Sequence, residues 1–408
     1  MTVLRAIRSA PVFTSLHNRD FRWLWWGRLA SSATFQMNTV VQGWLVYELT
    51  GSALALGLVG AGWSLSTLFL SLYGGVICDR APKRTILLWS RGGMLLNSLT
   101  LGLLVSLKLI QVWHLAAASI FTGVLFAFMM PAQQAIITEL VDRDTLLNAN
   151  SLNSIGMGLM GIFAASLAGL MITIFGPQGV YYFMAALYVM AVYTITKLPE
   201  LASRGGDARG SIWVDLTDGL RYLGTNKTIL VLLLLGLFRT LLATPYRTMM
   251  PMFSTEVMGF DAAGLGMLMA APGVGSLISS VWVASLRNFR GKGKLYLAAG
   301  ISMGIALILF VRFPYLAVVM VFLSVVGASD NICMVSNQTL VQLHSEERYL
   351  GRVMSVSMML MGLTHLGTVP AGFLADRLGV ITVITIQGIG LIATFGYMLL
   401  RSRVRRLE

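Results

Sequence analysis

Long apolar runs separated by short polar connections make up almost the whole chain. Twelve of them predict membrane helices, near residues 21–47, 53–78, 85–107, 114–139, 148–175, 180–197, 226–254, 262–286, 295–312, 315–343, 351–375 and 380–400. Crossing about 30 Å of hydrocarbon takes roughly 20 helical residues. No series of ten-residue alternating segments is present, so the spans read as helices and not as barrel strands. Pro131, Pro245, Pro272 and Pro370 fall inside runs, which membrane helices tolerate where neighbours satisfy the freed backbone groups. One connection is long and polar, LPELASRGGDARGSIWVDLTDGLRYLGT at 198–225. It divides the spans six and six. The expected domains are therefore 1–197 and 226–408, joined by a cytoplasmic linker.

Composition places the chain in a bilayer. It has 408 residues, 56% of them hydrophobic and 12% charged, where a soluble protein carries about 25% charged residues. The mean hydropathy is +0.76. With both termini cytoplasmic, the inner segments hold 24 of the 30 cationic residues, and the outer loops only Lys108, Arg312 and Arg377. That asymmetry fixes the orientation. The net charge of +13 then belongs to loops facing anionic headgroups, and implies no nucleic-acid partner. Trp23, Trp25 and Trp26 fit an interfacial aromatic belt. The first 20 residues carry Arg5, Arg8, Arg19 and Asp20 without a cleavage site after an apolar core, so no cleavable signal is expected. Cys78 and Cys333 both lie in spans, and the four histidines are scattered, so neither a disulfide framework nor a metal site is expected. The absence of G-x-x-x-x-G-K-[ST] argues against ATP-driven transport and against a bound nucleotide cofactor.

The two halves echo each other. PAQQAIITELVDRDTLLNANSLNS from Pro131 and VSNQTLVQLHSEERYLGRVMSVS from Val335 align at a shift of 204 residues, pairing Gln134 with Gln338, Asp142 with Glu346, Leu146 with Leu350 and Ser151 with Ser355. YELTGSALALG at 47–57 similarly resembles TEVMGFDAAGLG at 255–266. The order of matches predicts parallel six-helix halves related by an axis along the membrane normal.

Between the second and third spans lies GGVICDRAPKR, with the spacing Gly75-x-x-x-Asp79-Arg80-x-x-Lys83-Arg84. This resembles the signature of the helix 2–3 loop of the major facilitator superfamily. Gly75 allows close helix approach, Asp79 is available to pair across a helix interface, and the cations stay at the cytoplasmic surface. With LVYELTGSALALGLVG and PAQQAIITELVDRDTLLNANSLNS, the chain resembles the macrolide-efflux and siderophore-exporter branch of drug:proton antiporters. The resemblance implies an all-α membrane protein of twelve transmembrane helices in two pseudo-symmetric six-helix bundles. It also implies a gating role for Gly75, Asp79, Arg80, Lys83 and Arg84. The chain departs from many antiporters in having Ala164-Ala165 where helix 5 carries Gly-Pro, and no arginine in helix 4.

Ionisable groups within the bilayer are costly and are functional candidates. Asp330 is the acid placed deep within a span, and so the candidate proton-coupling carboxylate; pairing with an arginine for helix packing is the competing role. Arg239 and Arg247 lie in span 7. Eight residues of helix rise about 12 Å and turn about 80°, so the two are expected at different depths without a shared ligand. Arg247 is expected to snorkel outward, and Arg28 to reach back to the headgroups. In the superfamily helices 1, 4, 7 and 10 line the central cavity. Their polar residues Gln36, Asn38, Gln42, Gln133, Gln134, Arg239, Asn331, Asn337 and Gln338 are the substrate-binding candidates, with interhelical hydrogen bonding as their alternative role. Met354, Met358 and Met361 stripe span 11, and His365 follows; helix packing is the simpler role for both.

Together these readings predict a secondary transporter and not an enzyme. It would export amphipathic small molecules by alternating access, coupled to the proton gradient, as a monomer in a bacterial inner membrane. A transporter or flippase of lysophospholipid-like amphiphiles is the alternative, and an importer of metabolites a weaker one. A membrane enzyme would need clustered acids and histidines near one leaflet, where this chain disperses its acids among basic loops.

Overall fold

A computed structural model describes residues 15–407 apart from 16, 141–142, 200–220, 222–223, 225, 287–290, 347–348, 350–352, 354–355, 357–359, 361–362, 364 and 402. Its regular elements are helices throughout the described residues, at the places the apolar runs predict. They are α1 (Arg19–Thr50), α2 (Ala53–Arg80), α3 (Lys83–Ser106) and α4 (Val112–Leu140). A helical run over Arg143–Thr196 breaks at Gly176, which holds φ 71° and ψ 172° and precedes Pro177. Only glycine takes that conformation readily, so the run consists of two arms, α5 (143–175) and α6 (177–196). Next come α7 (Lys227–Ala243), α8 (Ala262–Ser285), α9 (Lys292–Arg312), α10 (Leu316–His344), α11 (His365–Leu378) and α12 (Val380–Arg401). Most of the 198–225 linker, and the first half of span 11 with Met354, Met358 and Met361, lie outside the described residues. So does the side chain of His365.

The internal repeat survives as geometry. Both α4 and α10 have 29 residues, with starts offset by 316 − 112 = 204 and ends by 344 − 140 = 204. That is the shift at which the two sequences align.

The chain forms two compact units. The first comprises Met1–Gln42 and Ser66–Ala208, and the second Gly43–Leu65 and Arg209–Glu408. In the first, α3 packs against α4 and the α5–α6 run around buried Phe21, Met37, Leu87, Leu115 and Tyr181. In the second, α10 packs against α8 and α9, and α12 against α9 and α7. Its core is aromatic. Phe310 meets Phe253 edge-on at 5.2 Å and Tyr246 at 6.1 Å, and Tyr296 meets Phe395 at 5.5 Å. Each such pair adds about 0.5–1.5 kcal/mol beyond area burial. Trp89 is 78% exposed and Val281 69%. Large apolar side chains exposed to this degree have a natural solvent in lipid tails.

Candidate substrate and coupling site

The second unit brings together three intramembrane charges. Pro245 has no N–H to offer the carbonyl of Leu241, so the regular helix α7 stops at Ala243. The chain continues through the short turns Pro245–Thr248 and Met250–Met252 into a π-helical turn, Phe253–Val257. Backbone irregularity of this kind is tolerated at membrane depth where protein covers it. Here Tyr246, Met249, Met250, Met252 and Phe253 are all buried.

The break re-aims Arg247. Arg239, one turn before the break, is ion-paired to Asp330 of α10 through Nη1 and Oδ1. Arg247, just beyond the break, places Nη2 3.8 Å from the other carboxylate oxygen. The expectation that the two arginines do not share a ligand is therefore overturned. It assumed an uninterrupted helix, and Pro245 interrupts it. Snorkelling is overturned too, since the Arg247 guanidinium turns to Asp330 and its Nε donates to the Tyr246 hydroxyl at 3.3 Å. The side chains are unequally covered: Arg239 is 13% exposed, Asp330 29% and Arg247 49%. Arg239 is the close structural partner and Arg247 the loosely held one.

The neighbouring amides are mostly occupied. Asn337 Nδ2 donates to the Leu232 carbonyl at 2.8 Å and to the Tyr296 hydroxyl at 3.1 Å, linking α10 to α7 and α9. Asn331 Nδ2 donates to Ser279 and Ser280 of α8, both at 3.0 Å. Both side chains therefore hold helices together in this structure. Gln338 is exposed, and its amide has no hydrogen-bond partner among the described residues.

In the first unit Asn38 donates to Gln42 Oε1 at 3.0 Å, and Gln42 Nε2 donates to the Leu115 carbonyl at 3.1 Å, tying α1 to α4. Gln36 is half-buried beside Gly161, Gln133 is buried and Gln134 exposed. Among the described residues, the amides of Gln36 and Gln134 make no hydrogen bond.

Arg91 is one of the 24 cations that the charge asymmetry assigns to the inner segments, and sequence reasoning missed its burial. The structure buries it completely. Its Nη1 donates to the Ala191 carbonyl of α6 at 3.2 Å, while Nε and Nη2 have no partner among the described residues. The guanidinium lies over Gly27, where a Cβ would stand 2.6 Å from Nη1. The available signal was its setting, ILLWS before and GGMLL after. Arg28 is half-buried, and its Nη1 is enclosed with no partner among the described residues where the sequence suggested a reach to the headgroups.

Of the gating candidates, Arg84 Nη2 donates to the Thr196 carbonyl at 2.9 Å, joining the start of α3 to the end of α6. Lys83 opens α3. The side chains of Gly75, Asp79 and Arg80 lie outside the described residues.

A family model described as transmembrane secretion effector matches residues 10–408. The chain belongs to this family of major facilitator transporters. Among its relatives is the staphyloferrin A transporter of Staphylococcus aureus (strain NCTC 8325 / PS 47), 24% identical over 86% of this chain and 88% of that one. Macrolide efflux protein A of Streptococcus pyogenes is 22% identical over 88% of this chain and 90% of its own. A crystal structure of the nucleoside transporter NupG superposes with a TM-score of 0.77 at 12% identity, covering 94% of this chain and 100% of that chain. That likeness concerns the fold. This secretion effector is a multi-pass membrane transporter, not an enzyme, and the resemblance to the macrolide-efflux and siderophore branch is borne out.

Proposed function

We propose that this secretion effector exports amphipathic small molecules by alternating access, coupled to protons through Asp330. The observation that carries the coupling reading is the shared carboxylate, ionic contact of Asp330 with both Arg239 and Arg247 among apolar helices. A proton on Asp330 would leave two guanidiniums facing each other without compensation. The cluster would then have to rearrange, and a carboxylate whose protonation forces helix rearrangement has the property a coupling group needs. The direction of transport rests on the relative named for macrolide efflux. Gln36, Gln134 and Gln338, whose amides make no hydrogen bond among the described residues, are the best placed of the polar candidates to meet substrate. Asn331 and Asn337 act chiefly as interhelical ties in this reading. The chain would work in a bacterial inner membrane with both termini cytoplasmic, its halves 1–197 and 226–408 moving as the alternating elements.

Counterflow in proteoliposomes with a panel of macrolides, siderophores and lysolipids tests the export reading. An imposed pH gradient, applied to wild type and Asp330→Asn, tests the coupling. Substrate accumulation that ignores the gradient in the wild-type protein would overturn proton coupling.

A further inference from the structure

We propose that this transporter recognises an anionic group on its substrate, a carboxylate or a phosphate, through Arg247. The inference rests on the transport reading above and not on its proton coupling. It begins from charge. In the second unit two guanidiniums contact one carboxylate, so among the described residues the cluster carries one uncompensated positive charge in an apolar setting. A lone charge there is expensive, and a chain that retains one has reason to offer it to a counter-charge.

The surplus sits on Arg247. Arg239, only 13% exposed, is in direct contact with Asp330, which fixes it as the carboxylate's own partner. Arg247 stands 3.8 Å away, beyond ordinary hydrogen-bond length, and 49% of its side chain is exposed. Its Nε is oriented by the buried Tyr246 hydroxyl, and no hydrogen bond among the described residues occupies Nη1. A planar fork with one edge anchored and one edge free suits carboxylate and phosphate oxygens, which accept paired N–H donors. The Tyr246 hydroxyl orients one edge of the guanidinium, which lowers the side-chain freedom lost on binding. A cationic amphiphile, by contrast, would meet a site already positive by one charge.

The test uses the full chain in phosphatidylcholine nanodiscs, with tryptophan fluorescence reporting binding and empty nanodiscs as the blank. Octanoate and octyl phosphate are compared with octyltrimethylammonium and octanol, which have the same tail. Wild type should bind the two anions about tenfold more tightly than the cation or the alcohol, as charge-assisted hydrogen bonds allow. Arg247→Gln should abolish that preference and leave octanol binding unchanged, while Arg247→Lys keeps part of it. Size-exclusion profiles would establish that both variants fold. Equal binding of anion and cation by wild type, or a preference surviving in Arg247→Gln, overturns the proposal. Adding lysophosphatidylglycerol separates the two sources of anion. Displacement of octyl phosphate by the lipid assigns the site to a headgroup phosphate, and failure to displace assigns it to soluble acids. Counterflow of octanol-like neutral substrates without anion preference would sink this inference alone. Anion preference without any counterflow would sink the transport reading alone.

Discussion

The carboxylate of Asp376, near the end of α11, accepts the backbone N–H of Ala53 at the start of α2 at 2.6 Å. The same carboxylate accepts the Leu54 N–H at 3.1 Å and the Ser52 hydroxyl at 2.6 Å, while Ser52 Oγ accepts the Ala55 N–H at 3.2 Å. The first turn of a helix has N–H groups without internal partners and a partial positive charge. Here a side chain more than 320 residues away in sequence satisfies them. Beside it, the Tyr47 hydroxyl donates to Glu256 at 2.5 Å. These bonds attach residues 43–65 to the second unit.

Asp376→Ala should therefore loosen the α1–α2 connection. The expected loss is about 1–2 kcal/mol, the worth of a good N-cap, seen as a lower midpoint of thermal unfolding in detergent. Hydrogen exchange should rise at Ala53 and Leu54 and not at the start of α8, whose own cap, Asp261 to the Gly264 N–H at 3.0 Å, is separate. Uniform exchange across both helix starts would contradict the assignment.

Replacing Asp330 by Asn leaves the largely covered Arg239 beside a neutral amide. Breaking a covered pair from one side costs roughly 3 kcal/mol at most for so partly exposed an acid. Arg239→Gln should be similarly harmful, and the double variant should be milder than the sum of the singles. Thermal unfolding of the three variants checks this. The coupling reading adds that Asp330→Asn still binds substrate while its transport ignores an imposed pH gradient.

Arg91 offers the opposite case. Its guanidinium is fully buried, with one carbonyl contact and no carboxylate partner among the described residues. Exchanging such a charge for an apolar side chain of similar length removes an uncompensated desolvation cost. Arg91→Met should raise the unfolding midpoint, and a fall would show that the charge serves the folded state.

Asp79→Asn tests the gating role implied by the loop signature. Transport should fall sharply while membrane insertion and yield stay normal. Unchanged transport by the correctly inserted variant would end the gating reading, and loss of folded protein would make Asp79 a structural residue.

The helices were legible in the sequence because the requirement that makes them is local. A bilayer demands about 20 apolar residues per crossing. The repeat was legible for the same reason, since α4 and α10 preserve both their length and the 204-residue offset. Asp330 could be singled out by its depth in an apolar run. Its partners were another matter. Whether Arg247 reaches it depends on how Pro245 redirects the chain beyond Ala243, and helix periodicity carries no information across such a break. Asn331 and Asn337 looked equally suited to substrate or to neighbouring helices, because an amide's role depends on which carbonyl or hydroxyl the next helix presents. Arg91 looked like a surface cation until α1 and α6 enclosed it at Gly27 and Ala191. Asp376 gave no sign of capping α2, since the two are brought together only when the chain is folded. Crossing number and repeat follow from solvent and are written along the chain. Which charge meets which is decided by three-dimensional neighbours, through contacts that no one-dimensional pattern records.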